Sequence, residues 1–462
     1  MDYVSTRGKV KEIGFMDAVL MGLADDGGLI IPKHIPQVTT ETLGKWQQLS
    51  YSELALEVFS LFIQDEIPRN DLKELVDNSY STFRDPAVTP LHKLNDELYV
   101  LELFHGPTFA FKDVALQFLG NLYGYISRKT DSIIHILGAT SGDTGASAIE
   151  GVRGKEGIRI CILHPHQKVS KVQELQMTTV DDANVLNLAV EGTFDDCQRI
   201  IKELFADVDF KHRYHLRAIN SINIARILAQ TVYYFYAYLQ LSKENKTDKL
   251  NFSVPTGNFG DIFAGYLARK MGLPIHKLIL ATNENNILER FVREGVYEPG
   301  AFRGTYSPSM DIQVASNFER YLFYLYGEDG QAVSTIMQQF KDTGRVVIPA
   351  DKLQLVQADF VGYSVENEES LDTIRTYYDK YNYLLDPHTA CGVAAADKIT
   401  ADNEVTVALS TAHPAKFDES IQLRSIEQVF PQQIQALFNK PQFQTVVGGT
   451  NNEIQDQLEK FF

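Results

Sequence analysis

Apolar residues change their spacing along the chain, and each change marks an element. From Gly14 to Leu23 and from Tyr51 to Phe62 they recur at three- and four-residue steps, the period of a helix with one buried face. The turn-rich run Ala24 to Pro32 separates these two helices. From Glu97 the pattern becomes short apolar runs, glycine turns and helical stretches in alternation. Strands are predicted at Leu98 to Leu103, Ser132 to Leu137, Ile158 to Leu163 and Val185 to Val190, and such alternation implies crossover units and a parallel sheet. A long amphipathic helix, Ile222 to Leu241, runs into the polar stretch Ser242 to Lys249, which reads as a surface connection.

The alternation then restarts with a strand at Leu250 to Val254, a helix at Gly260 to Met271, a strand at Lys277 to Leu280 and a helix at Ile287 to Arg293. Arg303 to Asp311 reads as a loop, Phe318 to Tyr326 as a helix, and Asp386-Pro387 as a helix start. A strand at Val405 to Leu409 follows, and the tail beyond Asp418 is helical and polar. The expected class is α/β, with a mainly helical N-terminal domain over residues 1–95. Two α/β lobes that exchange segments are expected over 96–245 and 250–462.

One lysine interrupts an apolar run. Between Tyr99 and Gly120 the only formally charged side chains are Glu102, Lys112 and Asp113. Phe111, Ala115, Phe118, Leu119 and Leu122 keep helical spacing, so Lys112 opens a helix whose stripe faces a core. Burial lowers an amine's pKa and leaves it partly neutral, as a Schiff-base lysine requires. A lysine that snorkels beside Asp113 satisfies this segment equally well.

Two glycine turns bear on that choice. Gly138-Ala-Thr-Ser-Gly-Asp-Thr-Gly145 follows a predicted strand and precedes a helix, a geometry whose backbone amides converge on an anion. The hydroxyls of Thr140, Ser141 and Thr144 can add donors. It lacks the Gly-Lys-Ser/Thr of a nucleotide-triphosphate loop and the dinucleotide glycine spacing. Pro255-Thr-Gly-Asn-Phe-Gly-Asp261 repeats the arrangement. Either could be a plain tight turn, but pyridoxal phosphate would use all three features. One loop would take its phosphate, Lys112 its aldehyde, and the other loop a substrate carboxylate. Thr411, just past a strand end, would offer a neutral hydroxyl to the pyridine nitrogen; taken alone it reads as a helix cap.

Composition narrows the class. Sixty acidic residues against 43 basic ones in 462 give a formal charge of -17, which argues against a general nucleic-acid binder. Cys161, Cys197 and Cys391 are far apart and odd in number, so a disulfide framework is not expected and a reducing, cytoplasmic setting is. No run reaches the roughly 18 apolar residues of a membrane span, and the N-terminus has no apolar core of a signal peptide. His164-Pro-His166 and His212-x-x-His215 have no carboxylate or cysteine at ligand spacing, so no metal is expected.

These motifs resemble those of the threonine synthase family of fold-type-II pyridoxal-phosphate enzymes. The likeness runs through Tyr3-Val-Ser-Thr-Arg-Gly, Asp26-Gly-Gly-Leu, Phe104-His-Gly-Pro-Thr-Phe-Ala-Phe-Lys-Asp113, Thr140-Ser-Gly-Asp-Thr-Gly, Ser221-Ile-Asn-Ile-Ala-Arg, Pro255-Thr-Gly-Asn-Phe-Gly-Asp, Ser309-Met-Asp-Ile-Gln and His413-Pro-Ala-Lys-Phe. The resemblance implies a tryptophan synthase β-like fold with two open twisted sheets and helices on both faces. The N-terminal segment matches the long form of the family. Lys112 is then the Schiff-base lysine and general base, Gly257, Asn258, Phe259, Gly260 and Asp261 the cofactor-phosphate loop, and Thr411 the partner of the ring nitrogen. Ser141, Gly142, Asp143 and Thr144 match the substrate-carboxylate loop. Many relatives of this fold type carry asparagine where this chain has Asp143, and a carboxylate beside an anion must be protonated, turned away or paired.

The implied reaction converts O-phospho-L-homoserine and water to L-threonine and phosphate, the last step of threonine biosynthesis. Asn223, Arg226 and Lys416 are the candidates for the substrate phosphate, with Arg303 and Arg320 as further cations. A serine or threonine dehydratase, a phospho-amino-acid lyase or a non-catalytic ligand-binding paralogue would share the fold.

Overall fold

The computed structural model describes residues 1–243 and 249–462. Residues 244–248, most of the expected polar connection, lie outside the described residues. The chain divides into two compact units, each assembled from separate stretches of sequence. The first comprises 1–76, 85–104 and 221–427; the second comprises 77–84, 105–220 and 428–462. These boundaries do not coincide with the expected ones at residues 95 and 245–250, because side-chain packing sorts the elements and chain order does not.

The first unit holds a six-stranded sheet in the order Phe360–Ser364, Ile275–Thr282, Leu250–Pro255, Thr406–Ser410, Leu98–Glu102, Leu91–Lys93. Its pairings are parallel except the last, which is antiparallel. Parallel strands are covered on both faces and read as near-continuous apolar runs, as Leu250–Pro255 and Thr406–Ser410 do; both are buried throughout. The N-terminal segment is less purely helical than expected, since Tyr3–Ser5 pairs antiparallel with Ile30–Pro32. Its helix Tyr51–Ile63 starts from a capping box of Ser50 and Glu53 and packs on the long helix Ile224–Lys243, where the Tyr51 and Tyr236 rings meet edge to face at 5.3 Å.

The second unit holds a five-stranded, all-parallel sheet in the order Thr445–Val447, Val185–Val190, Ile158–Pro165, Ile134–Ala139, Leu216–Ala218. The first of these strands corrects the reading of the tail as wholly helical. Thr445–Val447 adds to the free edge of Val185–Val190, and the capped helix Asn451–Phe461 then buries Ile454 and Leu458 with Cys197, Ile200 and Leu204. Helices Lys112–Thr130 and Asp143–Val152 pack directly on each other in this unit.

Candidate functional site

Lys112 is the first residue of helix Lys112–Thr130 and is 9% exposed. The turn before it is held from inside. Phe109 takes a left-handed φ of 61°, and its N–H donates to the Gly106 carbonyl at 3.1 Å. The buried Asp113 carboxylate accepts from the Thr108 N–H and hydroxyl, both at 2.7 Å, and from the Ser147 hydroxyl on the neighbouring helix. Asp113 therefore fixes the approach to Lys112 by tying its loop to helix Asp143–Val152. The Arg84 guanidinium carbon lies over the Phe109 ring, 3.5 Å from its centroid, and burial brings the group's pKa down to about 10. Lys112 Nζ itself lies 3.6 Å from Asp143 Oδ2 and 4.7 Å from the Phe111 ring centroid.

Asp143 stands in the glycine turn between strand Ile134–Ala139 and helix Asp143–Val152. The Thr140 hydroxyl shapes that turn, accepting from the N–H groups of Gly142 and Gly145 at 3.0 and 2.9 Å and donating to the Gly142 carbonyl. It is spent within the loop, contrary to its expected part as an anion donor. Among the described residues, no group accepts from the N–H of Ser141 or Thr144 and none bonds their hydroxyls, so these donors face outward at a helix N-terminus. Asp143 is paired: Oδ1 accepts from Gln173 Nε2 at 2.7 Å and Oδ2 faces Lys112. Gln173 and Gln176, one turn apart, were invisible as site residues in the sequence. The one signal was a pair of glutamines on the same helix face, and both are buried, Gln176 donating to the Thr108 carbonyl at 2.9 Å.

The first unit carries the second turn, between strand Leu250–Pro255 and helix Gly260–Lys270. A Cβ on Gly257 would come within 2.9 Å of the Ser309 carbonyl oxygen, so only glycine fits. Ser309 is fixed in turn because its N–H donates to His388 Nε2 at 3.2 Å, while His388 Nδ1 bonds Asp386 at 2.8 Å. Phe259 has a left-handed φ of 67°, and the Asn258 carbonyl accepts from the Asn317 N–H at 3.0 Å. Among the described residues, none accepts a hydrogen bond from the N–H of Gly257, Asn258 or Phe259. Asp261 Oδ1 takes the hydroxyls of Tyr233 and Tyr234 at 2.5 and 2.8 Å, which pins the turn to helix Ile224–Lys243.

The remaining candidates of this unit separate by role. Thr411 follows strand Thr406–Ser410, is buried, and its hydroxyl has no protein partner among the described residues. Asn223 spends its amide on the Val19 carbonyl at 2.9 Å and its oxygen on the Ala225 N–H at 3.1 Å. Arg226, 3% exposed on the first turn of the long helix, has Nε and Nη1 without partners; burial brings it down to about 10. Lys416 is buried in the short turn Pro414–Phe417. Arg303 lies on an exposed loop. Arg320 is wholly buried and gives its guanidinium to the carbonyls of Ile30 and Ile222 and to Asn317, so it is a structural cation.

A phosphate needs converging donors and an aldehyde needs an amine. The unpartnered amides of 257–259 at a helix N-terminus and the buried Lys112 amine meet those two requirements. Fold and donor set define a pyridoxal-phosphate-dependent enzyme, and the family model for pyridoxal-phosphate-dependent enzymes matches residues 83–411. The models for the threonine synthase N terminus and C-terminal region match residues 2–80 and 389–458. The chain is 49% identical to threonine synthase of Schizosaccharomyces pombe, over 92% of this chain and 89% of that one. It is 46% identical to threonine synthase of Pseudomonas aeruginosa, over 97% and 96%. The crystal structure of pyridoxal-phosphate-bound threonine synthase from Brucella melitensis superposes with a TM-score of 0.97 at 44% identity, covering 100% of this chain and 99% of that one. The chain belongs to the threonine synthase family, and it is a pyridoxal-phosphate-dependent lyase.

Proposed function

We propose that the enzyme converts O-phospho-L-homoserine and water to L-threonine and inorganic phosphate, the last step of threonine biosynthesis. The observation that carries this reading is the buried amine of Lys112 at a helix start, facing an acidic partner at 3.6 Å. Bound pyridoxal phosphate supplies an aldehyde for covalent attachment and an electron-withdrawing ring. Gly257, Asn258 and Phe259 would take its phosphate on their amides, while the Gly260 N–H closes the turn on Asn258 Oδ1 at 3.2 Å and Asp261 braces it through two tyrosines. Thr411 offers the ring nitrogen a neutral hydroxyl.

Lys112 Nζ removes the substrate's α-proton, returns protons along the carbon chain, and assists addition of water at the β-carbon after phosphate leaves the γ-carbon. One amine on a rigid helix serves all these steps because the carbons lie within reach of a single side chain. Ser141, Gly142 and Thr144 hold the substrate carboxylate, and Asp143 lends its N–H while its side chain stays with Lys112 and Gln173. Arg226, with two unpartnered N–H donors, and Lys416 take the substrate phosphate; Asn223 positions the helix start that carries Arg226.

We further propose an N-terminal segment ending near residue 95 and two α/β lobes, 96–245 and 250–462, that exchange segments; the discontinuous units support the exchange, though not those boundaries. A cytoplasmic setting without nucleic-acid partners is supported by three free, buried cysteines and a charge of -17. No helix among the described residues is long and apolar enough to cross a membrane. The deciding experiment is product analysis with O-phospho-L-homoserine. Equal amounts of threonine and phosphate are expected, and a ketoacid with ammonia in place of threonine would overturn the assignment.

A further inference from the structure

We propose that Asp143 and Gln173 are a positioning pair that fixes the place and charge of the Lys112 amine, an inference that rests on reading Lys112 as the cofactor-bearing residue. All three side chains belong to the second unit, and Asp143 and Gln173 are 5% and 4% exposed. The chain of donors runs one way. The Ser170 hydroxyl donates to Gln173 Oε1 at 2.9 Å, which turns Gln173 Nε2 toward Asp143 Oδ1 at 2.7 Å. An amide N–H requires an acceptor, so Oδ1 presents a lone pair to Gln173, and the remaining oxygen faces Lys112 Nζ at 3.6 Å. Each oxygen of this buried carboxylate thus has a partner, the condition under which a charge is tolerated inside a protein.

Glycine at position 142 is part of the same device. Its φ of 146° is open to few other residues, and a Cβ there would lie 2.5 Å from the Gln173 amide carbon. The turn therefore closes onto Gln173 and delivers the next residue, Asp143, into its amide. At 3.6 Å the ion pair is looser than a hydrogen bond, so it compensates charge without locking Nζ to one direction. An amine that alternately holds and releases a proton benefits from such a neighbour. The same pairing turns the Asp143 side chain away from the role of a substrate-carboxylate contact, where two like charges would repel.

Several other charged groups on the surrounding elements have partners of their own. Asp113, next to Lys112, holds Thr108 and Ser147, with Arg84 exerting a charge interaction on it. Glu150 pairs with Arg153, Glu174 with Lys171, and Arg159 bonds the Phe462 carbonyl. His164, on the strand Ile158–Pro165, is held neutral by burial.

The test uses cofactor-loaded protein carrying Asp143→Asn, Asp143→Glu, Gln173→Leu or Lys112→Ala, each checked for folding by circular dichroism. Asp143→Asn is expected to lower kcat about tenfold or more with KM changed less than about threefold. It should also shift the cofactor's visible band to shorter wavelength at constant pH, because the Lys112 nitrogen holds its proton less firmly. Asp143→Glu should recover band and kcat in part, and Gln173→Leu should fall between. Asp143→Asn with an unmoved band, or with a raised KM at unchanged kcat, would overturn the pairing, as would Gln173→Leu matching the parent in both readouts. If Asp143→Asn does not fold, Gln173→Leu and Asp143→Glu decide on the same criteria. Lys112→Ala separates the two levels of the argument. A borohydride-reducible band surviving in that variant sinks the reading of Lys112 itself, whereas its absence beside an unmoved Asp143→Asn band sinks only the pairing.

Discussion

Gly120 and Gly151 meet backbone to backbone: a Cβ on Gly120 would stand 2.0 Å from the Gly151 carbonyl oxygen, and one on Gly151 would stand 2.5 Å from that of Leu116. This contact sets the spacing of the two helices that carry Lys112 and Asp143. Gly120→Ala must push the helices apart, and a loss of about 1–3 kcal/mol of stability is expected, read as a lowered urea midpoint. A midpoint within error of the parent would mean that the helices separate freely.

Lys112→Ala should stay folded, because the apolar stripe of its helix is intact, but with a lowered thermal midpoint, because the buried Asp143 carboxylate loses its cation. Turnover should fall by more than about a thousandfold, since one group serves as both covalent anchor and base. Steady-state rates, with circular dichroism confirming the folded state at the assay temperature, settle it.

Thr411→Asp places an anion where a neutral hydroxyl stands. The cofactor's electronic behaviour should change more than its binding, with turnover lowered about a hundredfold while cofactor affinity stays within about threefold. Equal losses in affinity and turnover would assign Thr411 to binding.

Arg226 is a buried cation with two unpartnered N–H groups, so Arg226→Met removes a cost from the unliganded protein. Its stability in chloride buffer should equal or exceed that of the parent. Inorganic phosphate should raise the parent's unfolding midpoint by linkage and leave the variant's unchanged, and the KM for the phosphorylated substrate should rise about tenfold or more. Equal phosphate stabilisation of both proteins would place the anion elsewhere.

Burial holds His135 and His164 below the ordinary histidine pKa. With folded-state pKa values lowered, the unfolded chain binds protons first as pH falls. Stability is therefore fully present above about pH 6.5 and is lost below it, down to the lowered folded values. Urea midpoints measured from about pH 7.5 to 5 should decline over that window, and His164→Gln should flatten the decline. A profile identical in parent and variant would show that His164 does not contribute.

The helices with clear apolar stripes and the central parallel strands were legible because burial on one face, or on both, writes a period into the sequence. Phe360–Ser364 was not, since it is short, contains Gly362, and is a strand only because Ile275–Thr282 pairs with it. Thr445–Val447 has no sequence signal for the same reason, being made by the free edge of Val185–Val190. The glycine turns could be read as anion cradles because strand, turn and helix are neighbours in sequence. Gln173 and Ser309 could not be found that way. Their importance comes from meeting Asp143 and Gly257 across the fold, and neither position has a local requirement for its residue.

The second unit closes its sheet with a strand from 428–462, and the first begins with 1–76 and resumes at 221–427. During synthesis the early N-terminal segment waits for residues that emerge much later, and the edge of Val185–Val190 stays unprotected until Thr445–Val447 leaves the ribosome. Neither unit has a long head start as a folded body, so the nascent chain carries exposed strand edges for most of its elongation, the condition under which chaperone capture competes with aggregation.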